Sequence, residues 1–107
     1  MTIFIVDDEP KIRNGMGKLL SAHPRWQVQT FADAKSALHR LYEGEADVII
    51  TDIQMPEMDG FELVQQIRKS VNQQVKNIPV IALSARDDMH EKEYQEAGFS
   101  AYLNKPY

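Results

Sequence analysis

Four short polar clusters each follow an apolar run: Asp7-Asp8-Glu9 after residues 3–6, Thr51-Asp52 after 48–50, Ser84-Ala85 after 80–83, and Asn104-Lys105-Pro106 after the weaker run 101–103. Taken singly these residues say little. An Asp at a strand end is most often a turn former or helix cap, a Ser after a strand usually caps the next helix, and a Lys before Pro is usually solvated. Independent turn formers would rarely all fall at the same end of successive strands. In open parallel α/β sheets, ligands bind at the carboxyl ends of the strands, so the clusters are expected to share one crevice. Three carboxylates meeting there would repel one another unless a cation lay among them. An all-oxygen ligand set with no nearby His or Cys favours magnesium, which keeps several waters and takes one or two carboxylates together with phosphate oxygens.

The elements that must position these residues can be read from periodicity. Residues 3–6, 28–31, 48–50 and 80–83 are short and rich in β-branched types, as strands are, and 101–103 is a weaker fifth. Three of the runs are continuously apolar, as expected of strands covered on both faces of a parallel sheet. Between them lie helical patterns. Pro10 suits a first helical turn, and Ile12, Met16, Leu19 and Leu20 follow as one apolar stripe. Gly15 and Gly17 within that helix each cost roughly 1 kcal/mol relative to Ala, so packing must supply its stability. Asp33 is expected to cap a second helix carrying Ala34, Ala37, Leu38 and Leu41, and Asp59-Gly60 precedes a third with Leu63, Val64 and Ile67. A fourth helix over 87–97 offers the core only Met89, Tyr94 and Ala97 before Gly98 ends it, and should be loosely held. Residues 72–77 read as a surface loop before Ile78-Pro79. Alternation of strand and helix predicts a three-layer α/β domain with right-handed crossovers.

Composition bounds the function. The 107 residues suffice for one core and form one domain, 1–107. Hydrophobic content of 43% and charged content of 26% are those of an ordinary globular chain. The absence of cysteine excludes disulfides and thiolate metal sites and makes a reducing cytoplasm the simplest setting. No signal peptide or membrane span is expected. A net charge of -4 disfavours direct nucleic-acid binding by this domain.

The segments Ile5-Val6-Asp7-Asp8-Glu9-Pro10, Ile50-Thr51-Asp52-Ile53-Gln54-Met55-Pro56-Glu57-Met58-Asp59-Gly60, Leu83-Ser84-Ala85 and Leu103-Asn104-Lys105-Pro106 resemble the response-regulator receiver family of bacterial two-component systems in residue type, order and spacing. The resemblance spans the chain. It implies a flavodoxin-like (CheY-like) fold, a five-stranded parallel sheet in the order 2-1-3-4-5 between helical layers; the alternation follows from periodicity, the strand order only from the resemblance. It implies that Asp52 is a nucleophile taking a phosphoryl group from a sensor histidine kinase, a phosphotransfer protein or a small phosphodonor. Asp7, Asp8, Asp52 and the backbone carbonyl of Gln54 would hold Mg2+. Lys105 and Ser84 would bind phosphoryl oxygens, and Ser84 with Tyr102 would form the switch, Tyr102 moving from an exposed to a buried position. Gln54 and Arg86 would govern access of the hydrolytic water, Arg86 slowing hydrolysis. The partners implied are the kinase and an output domain following in the native chain, with no membrane. Such a domain catalyses only its own phosphorylation and dephosphorylation.

Two departures stand out. Ser84 replaces the Thr more usual in the family, keeping the hydroxyl and losing a methyl contact. The chain stops at Tyr107, where receivers ordinarily continue into a last helix, so that fifth helix is expected to be absent, the domain C-terminally incomplete, and no oligomer is predicted. Met1, one residue before the first strand, suggests an N-terminal receiver. Rival readings fare worse. A phosphohydrolase of the haloacid dehalogenase type needs a second Asp two residues after the first, where this chain has Gln54. A docking module without phosphorylation would typically lack an acidic residue or the Lys, and all are present. A nucleotide loop at Gly15-Met16-Gly17-Lys18 falls inside a helix rather than after a strand. His23, His39 and His90 lack ligand spacing, and Trp26 reads as packing at the start of the second strand.

Overall fold

The computed structural model describes residues 1–44, 46–84 and 91–104. Its strands are β1 Thr2–Val6, β2 Gln27–Phe31, β3 Val48–Asp52, β4 Val80–Ser84 and β5 Ala101–Asn104, and its helices are α1 Pro10–Ser21, α2 Ala34–Leu41, α3 Gly60–Arg68, α4 Gln73–Lys76 and α5 Glu91–Ala97. The strands pair in parallel in the order β2-β1-β3-β4-β5. The five expected strands are all present. β3 and β4 run one or two residues further than their apolar runs, because Thr51, Asp52 and Ser84 stay in register with Ala82, Leu83 and Asn104.

Successive side chains alternate across each strand. Phe4, Val6, Ile49, Val80 and Ala82 therefore face one way and form the main core with Ala37 and Leu41 of α2, Leu63, Val64 and Ile67 of α3, and Tyr94 of α5. Ile3, Ile5, Ile50 and Leu83 face the other way, against Met16 and Leu20 of α1 and Trp26. Trp26 is thus packing, one residue before β2 begins.

The caps follow the sequence. Pro10 occupies the first turn of α1, and Asp33 caps α2 by accepting the Ser36 amide at 2.7 Å. The Ser36 amide and hydroxyl hold the Asp33 carboxyl below the usual carboxylate range. Asp59 and Glu62 form a reciprocal capping box on α3. Gly98 ends α5 at φ 111°, a backbone conformation that favours glycine.

Two expectations need correction. Leu19 does not join the buried stripe of α1: it is 73% exposed. The face that α1 turns to the sheet is centred on Met16, Leu20 and Gly17, the last meeting Thr30, and Leu19 falls off its margin. Residues 72–77 are not merely loop, since Asn72 accepts the amides of Gln74 and Val75 at 2.9 and 3.3 Å and caps the one-turn α4, which buries Val75. Three further expectations, a core role for Met89 and the placement of Ala85 and His90, lie outside the described residues.

Candidate functional site

The carboxyl end of β1 is built on Asp7. Its amide still pairs with the Phe31 carbonyl at 3.1 Å, and its carboxylate accepts the Glu9 amide at 2.9 Å, which turns the chain into α1. Its own carbonyl accepts from the Arg13 guanidinium at 2.9 Å. Asp7 is fully buried while Asp8, next in the turn, is exposed. β3 lies beside β1, with Val6 opposite Thr51, so Asp52 ends its strand next to that turn.

The consequence is measurable. Asp7, Asp8 and Asp52 each contribute a carboxylate oxygen to a group whose atoms lie within 4.8 Å of one another. Like charges this close repel, more strongly where burial keeps water away and less at the exposed Asp8. Three hard oxygen donors on two strand ends, one of them reachable from solvent, fit a small divalent cation, and no His or Cys joins them among the described residues.

Asp52 itself is 4% exposed. Its carbonyl accepts from the Thr51 hydroxyl at 2.9 Å, and the next amide, Ile53, bonds to Leu83 at 3.3 Å. Gly60, the first residue of α3, donates to the Ile53 carbonyl at 2.8 Å. A Cβ on Gly60 would stand 2.5 Å from the Asp52 carbonyl oxygen and 2.9 Å from the Ile53 Cα. Only glycine lets α3 approach the strand end so closely.

Ser84 is buried at the end of β4, one register step beyond the Asp52↔Leu83 pair. Gln54 is exposed and lines an open hollow of about 490 Å³ with Ile53, Met55, Pro56, Asp59 and Phe61. Lys105 and Arg86, both expected at the site, lie outside the described residues.

Tyr102, read as a mobile side chain, is half-buried on β5 and stacks on Tyr94 at 4.6 Å with the rings 15° apart. Tyr94 in turn meets Phe99 edge-on at 6.1 Å, and Phe99 meets Phe61 at 5.6 Å. α5 is thus anchored through one fully buried aromatic. The Tyr94 hydroxyl is buried with no hydrogen-bond partner among the described residues. Removing an unsatisfied buried hydroxyl is favourable, so Tyr94→Phe should raise unfolding stability by about 1 kcal/mol in thermal or chemical denaturation. A loss of stability would mean that the hydroxyl is bonded after all.

Sequence reading missed Arg13 and the close approach at Gly60. Neither left more than a weak signal: Asp59-Gly60 was visible only as a helix start, and Arg13 as one basic residue among several on α1.

Residues 3–107 match the response regulator receiver domain family. The chain belongs to that family. The receiver domain is 30% identical to response regulator MprA of Mycolicibacterium vanbaalenii over 98% of this chain and 44% of the relative, so it spans less than half the length of that protein. It superposes on the chemotaxis protein CheY4 of Vibrio cholerae with a TM-score of 0.86 and 32% identity, covering 99% of this chain and 87% of the other. The receiver domain of a sensor histidine kinase from Pseudomonas aeruginosa aligns with a TM-score of 0.85 and 28% identity, over 99% of this chain and 85% of that one. That structure carries a magnesium ion coordinated in its active site cleft. The domain is thus a module of two-component signalling with the flavodoxin-like order 2-1-3-4-5.

Proposed function

We propose that this receiver domain is a magnesium-dependent phosphorylation switch in which Asp52 is the acceptor. The convergence of Asp7, Asp8 and Asp52 at two neighbouring strand ends carries the reading. An Asp52 carboxylate oxygen attacks phosphorus, the bond from phosphorus to the imidazole nitrogen of a partner phosphohistidine breaks, and its electron pair stays on the ring. The product is an acyl phosphate on Asp52. A small phosphodonor would react likewise.

Asp7, Asp8, Asp52 and the Gln54 carbonyl would hold Mg2+, which when bound neutralises charge on the transferring phosphoryl group. Lys105 would pair with one phosphoryl oxygen and the Ser84 hydroxyl would donate to another. Drawing Ser84 toward the phosphate would shift Tyr102, remaking the surface of α5 and β5. Gln54 and Arg86 would set how fast water reaches the acyl phosphate, Arg86 slowing it. The domain would work in the cytoplasm, taking phosphoryl groups from a kinase or phosphotransfer protein and controlling an output domain that follows it in a longer chain.

Intact mass after incubation with magnesium and acetyl phosphate or phosphoramidate tests the proposal. Wild type should gain one phosphoryl group only when magnesium is present, and Asp52→Asn should gain none. A folded wild type that gains nothing would favour a docking module working without phosphorylation.

A further inference from the structure

The first turn of α1 contains no acidic residue and two basic ones, Lys11 and Arg13. Cations are disfavoured there, because the unpaired amides of a helix N-terminus already carry partial positive charge. Arg13 has a specific partner that accounts for its place: it reaches back six residues and donates to the Asp7 carbonyl at 2.9 Å from a part-buried position. That carbonyl belongs to the peptide joining Asp7 to Asp8, and it lies one residue beyond the end of β1. The Glu9 cap of α1 has no side-chain hydrogen bond to fix the turn. Ties that hold this corner include Asp7 to Phe31, Glu9 to Asp7, the Arg13 amide to the Glu9 carbonyl, and the Arg13 side chain to Asp7.

Rotation of the peptide between Asp7 and Asp8 would swing the exposed Asp8 carboxylate away from Asp7 and Asp52. A charge-assisted hydrogen bond to its carbonyl opposes that rotation. We infer that Arg13 is a positioning residue for the cation site: by holding the Asp7 carbonyl, its guanidinium keeps the Asp8 carboxylate within reach of the other two. This rests on the magnesium reading proposed above. Residues that orient metal ligands typically change metal affinity by 10–100-fold when lost, although they never touch the metal.

Positioning and simple electrostatics act on magnesium affinity with opposite signs. Arg13 is a cation beside a cation site, so if charge alone mattered its removal would tighten magnesium binding. If positioning matters, removal weakens it. Magnesium titrations by calorimetry at fixed ionic strength, on the wild-type chain, Arg13→Gln and Arg13→Lys, separate the two. Both variants should bind magnesium about tenfold more weakly, Lys included, because an ammonium keeps the charge without the planar fork of donors. Tighter binding by Arg13→Gln with no change in Arg13→Lys would assign Arg13 a charge effect only and overturn the inference. So would unchanged affinity in both with a lower melting temperature in chelator, the signature of a purely structural contact. Should Arg13→Gln fail to fold, the Lys variant carries the comparison alone. A wild-type protein that shows no saturable magnesium binding would remove the metal site itself, and the role of Arg13 with it.

Discussion

Gly60→Ala is expected to lower unfolding stability by about 3 kcal/mol and to slow magnesium-dependent phosphorylation of Asp52 by about 100-fold. Helix propensity argues the other way, since Ala is favoured over Gly by roughly 1 kcal/mol within a helix. The steric term decides the sign. The new methyl would lie 2.5 Å from the Asp52 carbonyl oxygen and 2.9 Å from the Ile53 Cα, and both obstacles are backbone, so no side chain can rotate aside. Either α3 moves off the sheet, giving up packing of Leu63, Val64 and Ile67 against the main core, or the end of β3 moves. A displacement of β3 shifts the acceptor carboxylate relative to Asp7 and Asp8, and small misplacements of reacting groups are costly in rate. Denaturant unfolding together with mass-detected phosphorylation kinetics checks both halves. A variant as stable and as reactive as wild type would show that the corner is softer than its geometry requires.

Arg68→Met is expected to cost about 3 kcal/mol of stability while leaving the phosphorylation rate of the folded protein unchanged. Arg68 ends α3, and its guanidinium donates to Lys76 at 2.8 Å, Ile78 at 2.7 Å and Gly98 at 3.0 Å, all backbone carbonyls. It therefore ties the end of α4, the approach to β4 and the glycine turn before β5 at the rim opposite Asp52. Burial pushes the guanidinium pKa down from its ordinary value, yet arginine stays protonated in proteins, so the donors remain charged. Hydrogen bonds to charged donors contribute about 1.5–3 kcal/mol each, but the site is partly exposed and water can replace some of that. Met keeps the stem packed against Gly98 and removes only the donors. Arg68→Lys should fall between, since one ammonium cannot span three carbonyls in a planar fork. Chemical denaturation measures the loss. A change under about 0.5 kcal/mol, the range of an ordinary surface substitution, would mean that solvent satisfies these carbonyls equally well.

The two variants act at opposite ends of the sheet, so their effects on stability should add, whereas only Gly60→Ala should reach the chemistry. That contrast separates a disturbed site from a weakened fold.

The local signals read along the chain translate directly into elements. The apolar runs of β1, β3 and β4 became strands because residues covered on both faces leave no place for polar alternation. Asp33, Asp59 and Gly98 marked helix ends because a cap or a positive φ is a property of one or two residues. The three carboxylates were legible for the same reason: Asp52 ends β3, Asp7 and Asp8 directly follow β1, and parallel strands bring their ends to one rim. What the sequence by itself determined is this one-dimensional order, namely which residues are strand, helix or cap, and which end of the sheet is acidic. Contacts that depend on how far apart elements settle were decided only by tertiary packing. The exposure of Leu19 depends on the tilt of α1 over β1 and β2, which a stripe of spacings does not specify. Gly60 against Asp52, Arg13 on Asp7, Arg68 across three carbonyls and Tyr102 stacked on Tyr94 are approaches of a few ångströms between segments that periodicity treats as independent. Close packing makes such distances steep in energy, and it is set by the whole core at once rather than by any local run of residues.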